Sequence, residues 1–277
     1  MAAHLARRGR AIYAQQGMLM WADGNNQLPL TALAQLPNTL HGRARHNVAN
    51  AMAAFAALLA LALPRECIAA ALASFSPSES QTPLRLNLYQ AGDIMLMLDY
   101  AHNATAYEAI IATGRQLTQG RLIGVVSAPG DRRETDLIAI GQLCGALFDD
   151  LVIYEMDDLR DKLPGETAEL IARGALAARQ TGAPAVNGQQ WVPTHLDIRM
   201  AIREAFSKAQ PGDLIIIGCA SHVSELREAL GSMDLTPVDA STLHCSVDDG
   251  SACGSRTHRP PRSDRYAIPP IAGLAQK

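Results

Sequence analysis

Apolar residues along this chain follow three successive rhythms. Residues 10–40 carry two short apolar runs, AIYAQ and MLMWA, and the second leads into the turn-rich cluster DGNNQ, so a small β region with a hairpin is predicted at the start. From His46 to Leu63 the pattern turns helical and alanine-rich. Pro64-Arg65-Glu66 then opens a second helix through AAALASF, with proline at an early helical position. The stretch SFSPSESQTP, residues 74–83, has two prolines, small polar residues and no periodicity, and reads as a domain boundary.

Beyond Pro83 the rhythm changes again. Strand-like runs IMLMLDY, RLIGVVSA, DLVIYE and DLIIIGCA alternate with helical runs beginning near Thr105, Asp136, Glu166, Thr194 and Ser221. Continuously apolar strands need cover on both faces, which predicts a mostly parallel, doubly wound α/β sheet with ligands gathering at the carboxyl ends of its strands. After about Gly231 the periodicity stops, and the tail, rich in Ser, Gly, Pro and Arg, reads as a disordered extension. The expected division is 1–81, 82–232 and 233–277.

Composition narrows the partners. With 48% hydrophobic residues the 277-residue chain has ample core. With 24 Lys+Arg against 27 Asp+Glu, its net charge of -3 provides no general field for nucleic acid or an anionic membrane. The longest apolar run, Ala51 to Leu63, is shorter than the roughly 20 residues a bilayer requires and reads as a buried helix. The basic opening lacks the apolar core of a signal peptide, so a cytoplasmic location is expected. The five cysteines are scattered, with no disulfide framework expected. His244, Cys245, Cys253 and His258 match no common zinc spacing, and no metal site is expected.

Four polar clusters could carry chemistry. Asp99 and His102, in LDYAHN, follow the end of an apolar strand, where a carboxylate can accept from ribose hydroxyls and an imidazole can meet a base or phosphate; the plainer reading is a strand end capping the next helix through Asn103 or Thr105. Gly130-Asp131-Arg132-Arg133 follows the next strand and offers guanidinium forks for phosphate or carboxylate, or a solvated charge cluster. The run Asp157-Asp158-Leu159-Arg160-Asp161-Lys162 follows a third strand, where Asp158 and Arg160 could recognise a zwitterion or guanidinium, or form an ordinary loop. Asn47 and Asn50, three apart in GRARHNVAN, share a face of a helix's first turn and could present amides to one ligand, or serve as cap and satisfied polar group.

Taken in order, GRARHNVANAMAA, LDYAHNATAYEA, APGDRRETD and DDLRDKLPGE resemble motifs of the Mur ligases, in the cyanophycin synthetase branch, over roughly residues 4–230. The resemblance implies a C-terminal Mur ligase-type Rossmann-like domain preceded by the end of the central, ATP-binding domain. It also implies ATP and Mg2+ as cofactors for an acid–amino acid ligation through an acyl phosphate, in that branch the addition of arginine to a polyaspartate backbone. By the family's pattern, Arg85 and Arg132 would be catalytic. Asn47, Asn50, Asp99 and His102 would bind nucleotide, and Asp131, Asp158 and Arg160 would bind substrate.

Departures from the family are as informative as matches. No G-x-x-x-x-G-K-[ST] loop occurs in the chain, so the main cradle for ATP phosphates is missing. Leu84 stands where the family has glycine, and Ala104 where it usually has proline. Three readings stay open: a ligase portion completed by a polypeptide that supplies the P-loop, a noncatalytic nucleotide- or peptide-binding module, and a decayed product. A dinucleotide-dependent oxidoreductase is disfavoured, because no G-x-G-x-x-G follows any strand.

Overall fold

The computed structural model describes residues 2–180 and 192–243. A short helix α1 (Ala2–Ala6) leads into the antiparallel sheet β1 (Arg10–Gln15), β2 (Met18–Asp23) and β3 (Asn26–Ala32). Gly24, at φ +58, sits in the two-residue turn between β2 and β3, the hairpin foreseen at DGNNQ. Helices α2 (Arg45–Ala60) and α3 (Arg65–Ser74) follow.

A small core of Leu19, Leu36, Val48 and Ala51 holds this first part together. Helix α2 differs from the expectation of a buried helix. Val48, Ala51 and Phe55 are buried, while Ala53, Ala54, Ala56 and Ala57 are exposed, and Leu61 beyond its end is 71% exposed. Alanine runs read as apolar whichever way they face, so hydropathy alone could not tell the two sides of this helix apart.

The rest is a seven-stranded sheet built from β4 (Asn87–Ala91), β5 (Ile94–Asp99), β6 (Leu122–Val126), β7 (Asp150–Tyr154), β8 (Thr194–His195), β9 (Leu214–Gly218) and β10 (Thr236–Pro237), in the order β10-β4-β5-β9-β6-β7-β8. From β5 to β8 the pairing is parallel; β4 and β10 join antiparallel. Helices α4 (Ala104–Gly114), α5 (Glu134–Leu147) and α6 (Glu166–Gln180) supply residues to one core, with Leu214 and Ile216 of β9. Helices α7 (Ile198–Lys208) and α8 (Val223–Gly231) supply residues to another, with Ile215 and Ile217. Alternate residues of one strand thus enter two separate cores, which is why the strand reads as uninterrupted apolar sequence.

Helices α5 and α6 approach backbone to backbone. A Cβ on Gly141 would overlap the Ile171 carbonyl, and one on Gly174 the Ile138 carbonyl, so glycine is required on both sides of the contact.

Three boundaries differ from the sequence reading. Thr194 lies in β8, and the helix expected there begins at Ile198, where the Asp197 carboxylate accepts from the Arg199 amide at 2.8 Å. Strand β4 pairs with β5 through Gly92, a hairpin the sequence reading passed over. Residues 236–243, read as part of a disordered extension, belong to the fold instead. β10 pairs with β4, Ala240 is buried, and the His41 ring is 2.6 Å from the Ala240 carbonyl. A two-residue strand is too short to leave a periodic trace. The remainder of that extension, and with it His244, Cys245, Cys253 and His258, lies outside the described residues.

Candidate functional site

Because β5, β9 and β6 lie side by side and parallel, with β7 next, the loops after all four open on one edge of the sheet. Asp99, Arg132 and Asp158 stand on that edge, with His102 three residues beyond Asp99.

Asp99 ends β5. Its carboxylate accepts from the Leu86 amide at 3.1 Å, and its carbonyl accepts from the Cys219 amide at 2.8 Å. Burial pushes its carboxyl pKa up to about 6, against opposing pulls from the Leu86 amide, Arg85, the Ala101 amide and His102. The chain before it turns tightly. Leu84 and Leu86 take left-handed conformations at φ 56 and 52, and the Leu84 amide donates to Asn87 Oδ1 at 2.7 Å. At Leu84 the backbone takes a conformation that glycine adopts without strain and a side chain does not. The exposed Arg85 guanidinium lies 4.8 Å from the centre of the Tyr100 ring. His102 Nδ1 donates to the Tyr100 carbonyl at 2.9 Å, and Asn103 caps α4 by accepting from the Ala106 amide at 2.9 Å.

The loops after β6 and β7 are tied to each other. The Gly130 amide donates to the Asp158 carbonyl at 2.9 Å, and Lys162 Nζ donates to the carbonyls of Gly130 and Arg132 at 2.8 and 3.2 Å. A side chain at Gly130 would overlap the Leu159 carbonyl. Asp158 pairs with Arg160 at 2.6 Å, and Asp131 faces Arg132 at 3.6 Å. The pairing with Asp158 raises the already high Arg160 pKa. Arg132 Nε is buried without a hydrogen bond.

Asn47 and Asn50 stand on α2, which touches α4. Asn50 donates to Asn47 Oδ1 at 3.1 Å and Asn47 to the Asn38 carbonyl at 2.8 Å. Both amides are therefore engaged locally, and among the described residues neither bonds to Asp99 or His102. His46, next to Asn47, has its pKa lowered by burial.

Sequence reasoning missed the loop after the central strand β9 and the residues that brace it. Tyr107 donates its hydroxyl to the Ser127 carbonyl at 2.8 Å and accepts from the Ser127 amide at 3.0 Å, and Tyr154 donates to the Gly218 carbonyl at 2.8 Å. A side chain at Gly218 would collide with Tyr107. The buried Glu155 carboxylate accepts from the amides of Gly165 and Thr167 at the start of α6, and its carbonyl faces His222 Nε2 at 3.1 Å. His222 opens α8 in a left-handed conformation, φ 33. The G-C-A-S-H run at the end of an apolar strand was the available signal.

The family model "Mur ligase, glutamate ligase domain" matches residues 84–221. Cyanophycin synthetase of Nostoc sp. is 35% identical over 214 residues, 77% of this chain but 23% of its own length. The UDP-N-acetylmuramoyl-L-alanyl-D-glutamate--2,6-diaminopimelate ligase of Corynebacterium glutamicum is 34% identical over 64% of this chain and 32% of its own. The chain thus spans about a quarter of the cyanophycin synthetases it matches. Among solved structures, the bifunctional folylpolyglutamate synthase/dihydrofolate synthase of Yersinia pestis, complexed with AMPPNP and Mn ion, shares the fold with a TM-score of 0.52 at 22% identity, covering 79% of this chain and 45% of that one.

Proposed function

Residues 84–221 belong to the Mur ligase family as its glutamate ligase domain, and from that premise we propose that the chain is the amino-acid-binding portion of an ATP-dependent amide ligase, joining arginine to a polyaspartate backbone. The observation that carries this reading is the convergence of Asp99, the 130–132 loop and the 157–162 loop on one sheet edge. Asp99 and His102 would meet the nucleoside. Arg85 and Arg132 would orient phosphate or carboxylate oxygens, and Asp131, Asp158 and Arg160 the incoming amino acid. Asn47 and Asn50 would approach the base by exchanging their mutual hydrogen bond for ligand contacts.

The residues fit a nucleoside better than a triphosphate with its magnesium. Both lysines of the described residues are committed within the fold, Lys162 to two carbonyls and Lys208 to Asp150 and Glu204. No P-loop is present in the sequence. A second polypeptide region would have to cradle the phosphates, and the exposed alanine face of α2, with Leu61 and Leu63 beside it, offers it a surface. Alone, the chain is expected to release no ADP from ATP. Losing even about 6 kcal/mol of transition-state stabilisation slows a reaction more than ten-thousandfold.

A chimera tests the reading. Residues 4–230 replace the matching portion of the Nostoc sp. cyanophycin synthetase, and cooperative thermal unfolding of the chimera serves as the control for folding. Arginine- and primer-dependent ADP release is expected, and Arg132→Ala should abolish it. A chimera that unfolds cooperatively but shows no arginine-dependent turnover would exclude arginine as the substrate of this portion. A noncatalytic binding module remains the second reading, favoured by the same commitment of the lysines.

A further inference from the structure

Asp157, His222 and Glu225 each bring one ligand-type atom to within 4.8 Å of the other two. None of them belongs to the set assigned to nucleotide or substrate above. His222 Nε2 lies 3.1 Å from the Glu155 carbonyl oxygen. A carbonyl can only accept, so Nε2 carries the ring hydrogen, and in the neutral imidazole the lone pair sits on Nδ1.

That lone pair faces two carboxylates. Nδ1 is 3.1 Å from Asp157 Oδ2 and 3.9 Å from Glu225 Oε2, yet it is buried and hydrogen-bonded to neither, in a side chain only 7% exposed. A bare lone pair against carboxylate oxygens is repulsive, so positive charge is called for between them. Neither oxygen stands in hydrogen-bonding geometry to Nδ1, whereas a metal ion held in the ring plane on the Nδ1 lone pair takes its other ligands from positions off that line. Ligand atoms bound at about 2.1 Å in a tetrahedral shell lie about 3.4 Å apart, and the observed 3.1 and 3.9 Å bracket that spacing. The Nε2–H to carbonyl bond also matches the support that ligating histidines usually have. Nearby Arg199 does not fill the gap, because Asp197 and Glu228 engage it at 2.8 and 3.0 Å.

We propose that Asp157, His222 and Glu225 form a site for a divalent transition-metal cation of the Zn2+ or Co2+ class. An imidazole with two carboxylates suits such ions better than Mg2+, which favours an all-oxygen shell. Three protein ligands leave at least one position for water or another ligand, open toward the edge on which the polar loops gather.

The test is titration of the chelator-treated full chain with Co2+, followed by visible absorption and calorimetry. One equivalent is expected to bind, with a spectrum of nitrogen and oxygen ligation that Zn2+ abolishes by displacement. Asp157→Asn, at an exposed residue whose loss leaves the fold intact, and His222→Gln should each weaken binding roughly tenfold or more. A Cys245→Ser/Cys253→Ser double variant should bind as the parent does, which separates this site from the ligand-type residues near the C-terminus. Absence of a 1:1 site, equal affinity in Asp157→Asn, or loss of binding only in the cysteine variant would overturn the proposal and leave the cluster an imidazolium ion pair.

Discussion

Replacing Asp99 by asparagine should stabilise this protein, by an amount that grows with pH. Burial raises the Asp99 carboxyl from 3.8 to about 6, so the folded state binds that proton more tightly than the unfolded state does. The stability this lends is fully present below about pH 3.8 and is lost as pH rises through about 6. A gap of about 2 pH units corresponds to about 3 kcal/mol, which is the cost of keeping the buried group ionised near neutrality. Asparagine is uncharged throughout, and its Oδ1 can still accept from the Leu86 amide, a bond of 3.1 Å in the parent. The measurement is urea unfolding of both proteins from pH 4 to pH 8 with a common m-value. Other titrating groups cancel in the difference. It should be near zero at pH 4 and reach about 3 kcal/mol in favour of the variant above pH 7. A pH-independent difference, or one that favours the parent at high pH, would refute burial as the cause of the shift. A charge held at such expense is one a ligand can use, so added nucleotide should stabilise the parent more than the variant.

Other outcomes follow from the same geometry. Leu84→Ala and Leu84→Gly both remove a buried side chain, but glycine also relieves the left-handed backbone, so the glycine variant should be the more stable of the two by about 1 kcal/mol in urea unfolding. Gly130→Ala should lower stability by about 2 kcal/mol and speed amide exchange through 157–162, because its new methyl group would overlap the Leu159 carbonyl. Lys162→Met should quicken exchange at 130–133 while changing global stability by less than about 1 kcal/mol, since the two carbonyls it releases can turn to water.

The four long apolar strands, the DGNNQ hairpin and the start of α6 at Glu166 were legible because buried strands and turn chemistry leave local signals in sequence. Asp99, Arg132 and Asp158 could be expected on one edge for the same reason, as each follows such a strand. Strand order leaves no local signal. Nothing in DLIIIGCA says that β9 inserts between β5 and β6, and so the loop bearing His222 was not connected with the rest. Nothing local in the sequence singles out Tyr107 and Tyr154, and only the fold shows their hydroxyls fastening the tops of β6 and β9. The two-residue strands β8 and β10 fall below the length at which alternation can be seen.

The glycine contact between α5 and α6 has a consequence for how this protein can change. The polar loops after β6 and β7 run directly into those two helices, and with the backbones touching at Gly141 and Gly174 neither helix can slide without the other. An insertion or deletion in either loop that shifted its own helix would have to displace the other helix as well. The two loops therefore share one footing, and a change of length in either is accommodated only where the loop itself absorbs it, with both helices left in place.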